Sequence, residues 1–229
     1  MATEGAAKAR PRYYTPAEVA MHASPDDCWV SFLGSVYDLT KLVKSNEGPL
    51  VQPIIKCAGT DISNWFEKEM KEIRTHVDPI TNLERPHMPM GRVLHVAPNE
   101  PVSNWSTNFG TAWWKDKTFQ VGLLSQKTRV VRFKNVLTGQ EDQLEVPSEE
   151  LIREIRERYL EYNWHAASYT WKVMLPHDGE YTFQVLDMDK TLEDNGVLDE
   201  NDEFETLAIP DDYYIPVIHL YYKDDLTVA

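Results

Sequence analysis

The sequence predicts an α+β fold in two domains, and three observations carry that expectation. Residues 13–97 open with a capped helix and a strand–turn–strand, then continue as short helical stretches. Residues 128–226 read as two strands, one long amphipathic helix and further strands, an order that segregates helices from strands. Between them, residues 98–127 break the pattern with Pro98, Pro101, Gly110, Gly122 and three tryptophans, and show no clean periodicity. The length of 229 residues suits two small domains, or one large one, at roughly 150 residues per domain.

In the first domain, Thr15-Pro16-Ala17-Glu18 is a capping box with proline at the first helical position, so a short helix should run to about His22. Ser24-Pro25-Asp26-Asp27 breaks it, and Cys28–Leu33 reads as a strand. A tight turn at Gly34-Ser35 leads into a second strand, Val36–Leu39. From Thr40 to Met70 the chain should be short helical pieces interrupted by Gly48-Pro49, Pro53 and Gly59. The segment 98–127 carries Trp105, Trp113 and Trp114. It is too aromatic for a floating linker and is expected as an ordered strap against one or both domains.

In the second domain, Thr128–Val136 and Gln143–Val146 are expected as strands joined at Thr138-Gly139. Ser148 should cap a helix over 148–162, with Glu149 and Glu150 at its positive end. Leu151, Ile152, Ile155, Tyr159 and Tyr162 share its apolar face, and Glu149–Arg153 and Glu154–Arg158 are i,i+4 pairs on its outer surface. Apolar stretches at Tyr169–Leu175, Tyr181–Val185 and Ile215–Tyr222 complete the domain.

Charge and motif content exclude several function classes. The chain has 23 Lys or Arg against 37 Asp or Glu, a formal charge of −14. Residues 178–229 alone hold 15 acids against Lys190 and Lys223. That surface repels a phosphate backbone, so nucleic acid is not expected as a partner. The acidic face either solvates the domain or docks a basic protein. No apolar run approaches the roughly 20 residues that span a bilayer, and MATEGAAKARPRYY has charge without the apolar core of a signal peptide. A soluble intracellular protein with no membrane partner is expected, and Asn104-Trp105-Ser106 is then not a glycosylation acceptor. Two cysteines, Cys28 and Cys57, give neither a disulfide framework nor a zinc site. Asp187-x-Asp189-x-Thr191 begins like a calcium loop, but Leu192 stands where glycine is required. There is no phosphate loop and no nucleophile elbow near His165 or Ser168. No enzyme activity is expected.

One resemblance is specific. Trp29-Val30 followed by Gly34-x-Val36-Tyr37-Asp38-Leu39-Thr40 resembles the opening of a cytochrome b5-type domain. Ala58-Gly59-x-Asp61-Ile62 with Trp65-Phe66, and Met90-Gly91-Arg92-Val93-Leu94-His95, resemble its later elements. The resemblance covers about residues 13–97 and implies a haem cofactor held between two helix pairs by two histidines. The first should lie in an His-Pro-Gly-Gly motif, where this chain has Ser45-Asn46-Glu47-Gly48-Pro49, so Asn46 stands at the first ligand position. The second corresponds to His76. His76 is thus the expected iron ligand and Asn46 a pocket residue, with the first axial histidine absent. His22, Met88, Cys57 and His87 are the chemically sensible replacements. A haem held through His76 and a haem-free binding module both remain open.

The second domain, with Thr191–Phe204 leading through Gly196 and an acidic turn into a last strand, resembles a ubiquitin-like β-grasp. Its end, Asp224–Ala229, has no Gly-Gly tail for conjugation. The two domains in this order, a degenerate cytochrome b5-like domain and then a ubiquitin-like one, resemble a family of axonemal proteins of motile cilia. That likeness implies a non-catalytic structural or regulatory subunit in the radial-spoke stalk, haem-dependent and redox-responsive, with radial-spoke and axonemal proteins as partners. A soluble haem electron carrier of cytochrome b5 type is the alternative. A ubiquitin-pathway adaptor is a third, resting on the second domain alone.

Overall fold

A computed structural model describes residues 10–100, 102–103, 105–177, 179–210 and 213–222. Asn104 and the tail 224–229 lie outside the described residues, as does most of the N-terminal stretch. The chain divides into two compact units between Leu124 and Ser125.

In the first unit, β1 (Tyr13–Tyr14) leads into α1 (Pro16–Met21), followed by β2 (Ala23–Ser24), β3 (Asp27–Phe32) and β4 (Ser35–Asp38). The Thr15 capping box is formed in both directions: the Glu18 amide donates to Thr15 Oγ1 at 3.1 Å, and the Thr15 amide donates to Glu18 Oε2 at 2.7 Å. Leu33 and Gly34, with φ of 49° and 75°, are the two central residues of the β3–β4 turn. Both lie in the left-handed region that two-residue hairpins of right-handed twist require, so the turn sits one residue earlier than expected. Two short helices follow, α2 (Thr40–Ser45) and α3 (Gln52–Lys56). Among the described residues of this unit no α-helix follows them. A 3₁₀ turn at Ser63–Trp65 gives way to a two-stranded ribbon, β5 (Thr75–Val77) against β6 (Glu84–Pro86).

The strap expected at 98–127 belongs to this unit as far as Leu124. Its last strand, β7 (Gln120–Leu124), lies between β1 and β4 in a sheet ordered β1-β7-β4-β3-β2. Trp113 is fully buried and Trp114 nearly so, in one cluster with Phe32, Leu39, Ile54 and Phe66. The Trp114 indole N–H donates to Glu72 at 3.2 Å, and Lys115 pairs with the same carboxylate. The first unit therefore closes at residue 124 rather than 97, because its core is completed by these tryptophans. Gly122 is required there: a Cβ on it would collide with the Arg12 carbonyl and come within 2.7 Å of the Tyr14 ring.

The second unit contains β8 (Thr128–Asn135), β9 (Glu141–Pro147), α4 (Ile152–Tyr159), β10 (Tyr169–His177), β11 (Glu180–Val185), α5 (Asn201–Thr206) and β12 (Val217–Tyr222). Its sheet is ordered β11-β10-β12-β8-β9, with β12 and β8 parallel at the centre and an antiparallel hairpin on each side. That is the β-grasp order. Ile152, Ile155 and Tyr159 of α4 are fully buried in one cluster with Phe133, Trp171, Val173 and Ile218 of the sheet. The helix begins at Ile152, not Ser148. Glu149 is drawn away to accept from Ser125 Oγ and the Gln126 amide, and Glu154 accepts from the Leu151 amide at 2.9 Å to cap the helix. Arg158 reaches back to Glu150 in a buried two-pronged ion pair at 2.7 Å. Tyr162 is left 53% exposed beyond the helix end.

Candidate functional site

The strand–turn–strand motif builds one wall of the first unit. Asp38 Oδ1 accepts from the Thr40 amide at 2.9 Å, and Thr40 Oγ1 accepts from the Cys28 amide at 3.0 Å. These side chains turn the end of β4 into α2. On the far edge of β3, the Gly59 amide donates to Trp29 O at 2.7 Å and the Ile62 amide to Ser31 O at 2.8 Å. Gly59 has φ of 77°, and a Cβ there would come to 3.0 Å from Ala23 Cβ. The Asp-Leu-Thr and Ala-Gly-x-Asp-Ile motifs thus act as joints of the scaffold.

Asn46 follows α2 as its C-terminal cap. Its side-chain amide donates to Leu42 O at 2.9 Å and to Ser45 Oγ at 3.2 Å, so it closes the helix end. His76 is the middle residue of β5, whose three residues are all exposed. Its ring meets His87 edge-on at 6.0 Å. Of the four suggested replacement ligands, His87 is the one in ring contact with His76. His22 is occupied, stacked on Trp29 at 3.8 Å and bonded to Asp27 at 2.7 Å. Met88 packs against the core. Cys57 is buried, and that burial pushes its thiol pKa up. Among the described residues, no group of three or more His, Cys, Asp or Glu could hold a metal ion.

The closing segment carries the most unusual histidine of this unit. Val93 is fully buried and anchors it, while His95 adopts a φ of 65° and stacks on Phe109 at 4.3 Å. The Trp113 amide donates to His95 Nδ1 at 3.1 Å, and the Trp113 indole N–H donates to Leu94 O at 3.2 Å. Desolvation holds the His95 imidazole below its ordinary pKa, which suits a ring nitrogen that must stay unprotonated to accept.

Residues 15–87 match the cytochrome b5-like heme/steroid binding domain. Over nearly the whole chain, the sequence is 53% identical to cytochrome b5 domain-containing protein 1 of Xenopus tropicalis, covering 95% of this chain and 97% of that one. The human protein of the same name is 50% identical, with 94% and 92% covered. The chain belongs to this cytochrome b5 domain-containing family. Among solved structures, cytochrome b558 of Ectothiorhodospira vacuolata is 35% identical over 28% of this chain and 79% of that one, with a TM-score of 0.23.

Haem is the cofactor of the domain family, and the matched span contains both Asn46 and His76. The residues present do not rebuild the family's two-histidine cage. Asn46 spends its amide on the α2 end, and residues 67–97 form turns and a short two-stranded ribbon without a helix. The sequence signals also missed two features. The Trp113–His95 contact joins residues 18 apart with no motif between them. In the second unit, Arg129 is 5% exposed and donates to Val197 O and Leu198 O at 2.8 Å. It borders a cavity of about 240 Å³ walled by Phe204, Tyr214 and Pro216. A buried arginine on a strand looks like any surface arginine in the sequence.

Proposed function

We propose that the protein is a non-catalytic structural and regulatory subunit of the ciliary axoneme, held in the radial-spoke stalk among axonemal proteins, where its cytochrome b5-like unit helps to tune beating. The observation that carries this reading is the state of the site: a scaffold that keeps the strand–turn–strand joints while its first ligand position is filled by a helix-capping asparagine. A rapid electron carrier keeps its iron in fixed six-coordinate geometry, and Asn46 does not provide that. The second unit adds support, since it holds 10 Lys or Arg against 23 Asp or Glu while the first is near neutral. A face of one sign orients a partner in an assembly. The axonemal placement extends the likeness of the two-domain layout.

Fractionation of motile cilia tests it. Detergent is expected to leave the protein with the axoneme, and high salt to weaken its retention as acidic contacts are screened. Recovery entirely in the soluble matrix, or with a reductase in the membrane fraction, would defeat the proposal.

A further inference from the structure

The sheet of the second unit ends in two unlike edges. β9 carries Glu141, Asp142 and Glu145 and ends on Pro147. Charge and proline are the usual protection of an edge against pairing with another chain. β11, at the other end of the sheet, reads Glu-Tyr-Thr-Phe-Gln-Val. After Glu180 it has neither charge nor proline, and its residues are strong strand formers.

The register shows where its side chains point. Val173 pairs with Gln184 and Ile218 and belongs to the face buried under α4. The alternate set therefore faces away from the helix: Tyr181 opposite Pro176, Phe183 opposite Met174, and Val185 opposite Lys172. Tyr181 is 73% exposed, Val185 64%, and Phe183 and Met174 42% each. Phe183 rests edge-on against His219 at 5.0 Å and Tyr221 at 5.9 Å, which fixes an aromatic platform beside the edge. Among the described residues, β11 makes no backbone hydrogen bond outside its ladder with β10.

We propose that the free edge of β11 is a docking site for an extended, basic segment of a partner protein, which adds a sixth strand to the sheet. Main-chain bonds to the open edge supply affinity, and apolar side chains at alternate positions cover Tyr181, Phe183 and Val185. The sign of the partner follows from charge. A second copy would bring another unit of net charge −13 against this one, whereas lysines and arginines flanking the added strand are attracted. The site is independent of haem and of where in the cell the protein resides.

The test is a titration of the full chain, labelled for amide NMR, with the peptide Lys-Lys-Val-Thr-Val-Thr-Val-Lys-Lys. Its counterpart with glutamate in place of every lysine is the control. Amide shifts centred on residues 180–185 are expected with the basic peptide, weakening as salt is raised. Phe183→Lys should weaken binding at least tenfold while leaving the amides of the α4 core, Ile152, Ile155 and Tyr159, unshifted. Three outcomes overturn the proposal: no shift at 180–185 with millimolar basic peptide, equal binding of the acidic peptide, or broadening of the same amides with protein concentration alone. The last would make a second copy the occupant.

Discussion

His95 couples acidity to the packing of the first unit. Its Nδ1 accepts from the Trp113 amide, and burial holds its pKa below the ordinary value. A histidine depressed in the folded state favours folding while neutral. Its contribution is therefore complete above the unfolded pKa of about 6.5 and is lost as the pH falls below that value toward the depressed one. The protection of the Trp113 amide against exchange is expected to drop across that window in the wild type. It should not drop in His95→Asn, where asparagine tolerates the positive φ. A pH-independent protection factor in the wild type would remove His95 from this role. The iron question also belongs to single residues. Haemin that binds to the purified chain is expected to depend on His76, so His76→Ala should lose or strongly shift the Soret band, while Asn46→His should move the spectrum toward a six-coordinate, low-spin form. An unchanged spectrum in His76→Ala would show that His76 is not a ligand.

Elements whose signal is local were legible from sequence. The Thr15 capping box, the β3–β4 hairpin and the apolar face of α4 each declare themselves within a few residues, and each is formed. The α4 start was not, because Glu149 and Glu150 are claimed by Ser125, Gln126 and Arg158, partners that no local pattern announces. The ribbon β5–β6 was missed for a related reason: its strands are three residues each and neither alternates between buried and exposed positions. The register of α4 is open to measurement. Ile155 is completely buried, so Ile155→Ala should cost about 2–5 kcal/mol through lost contacts and the cavity left behind. A loss under about 0.5 kcal/mol would match a surface position and contradict the packing of α4 on the sheet.

Across the whole molecule, the order of the two units and their unequal charge, near neutral and then acidic, were legible, since composition changes along the chain. The boundary was not. Residues 112–124 have no periodicity because they plug an existing core with Trp113 and Trp114 before entering the sheet as β7. A fragment ending at residue 97 is therefore expected to lack cooperative unfolding, whereas one ending at 124 should unfold in a single transition. A sharp melt from the shorter piece would show that the tryptophan segment is dispensable.

The pairing of β1 with β7 has a consequence for synthesis. Tyr13 lies beside Leu123, and Tyr14 beside Leu124. β1, the earliest strand made in the first unit, waits for β7, the last, before it gains its ladder partner. A ribosome that has released a hundred residues has released a sheet still missing the strand between β1 and β4. Until Leu124 clears the exit tunnel, Tyr14, Val19 and Val36, which pack with Val121 and Leu124, stay exposed to water or to a chaperone. A pause in translation just before that point would lengthen the exposure, and one just after it would not.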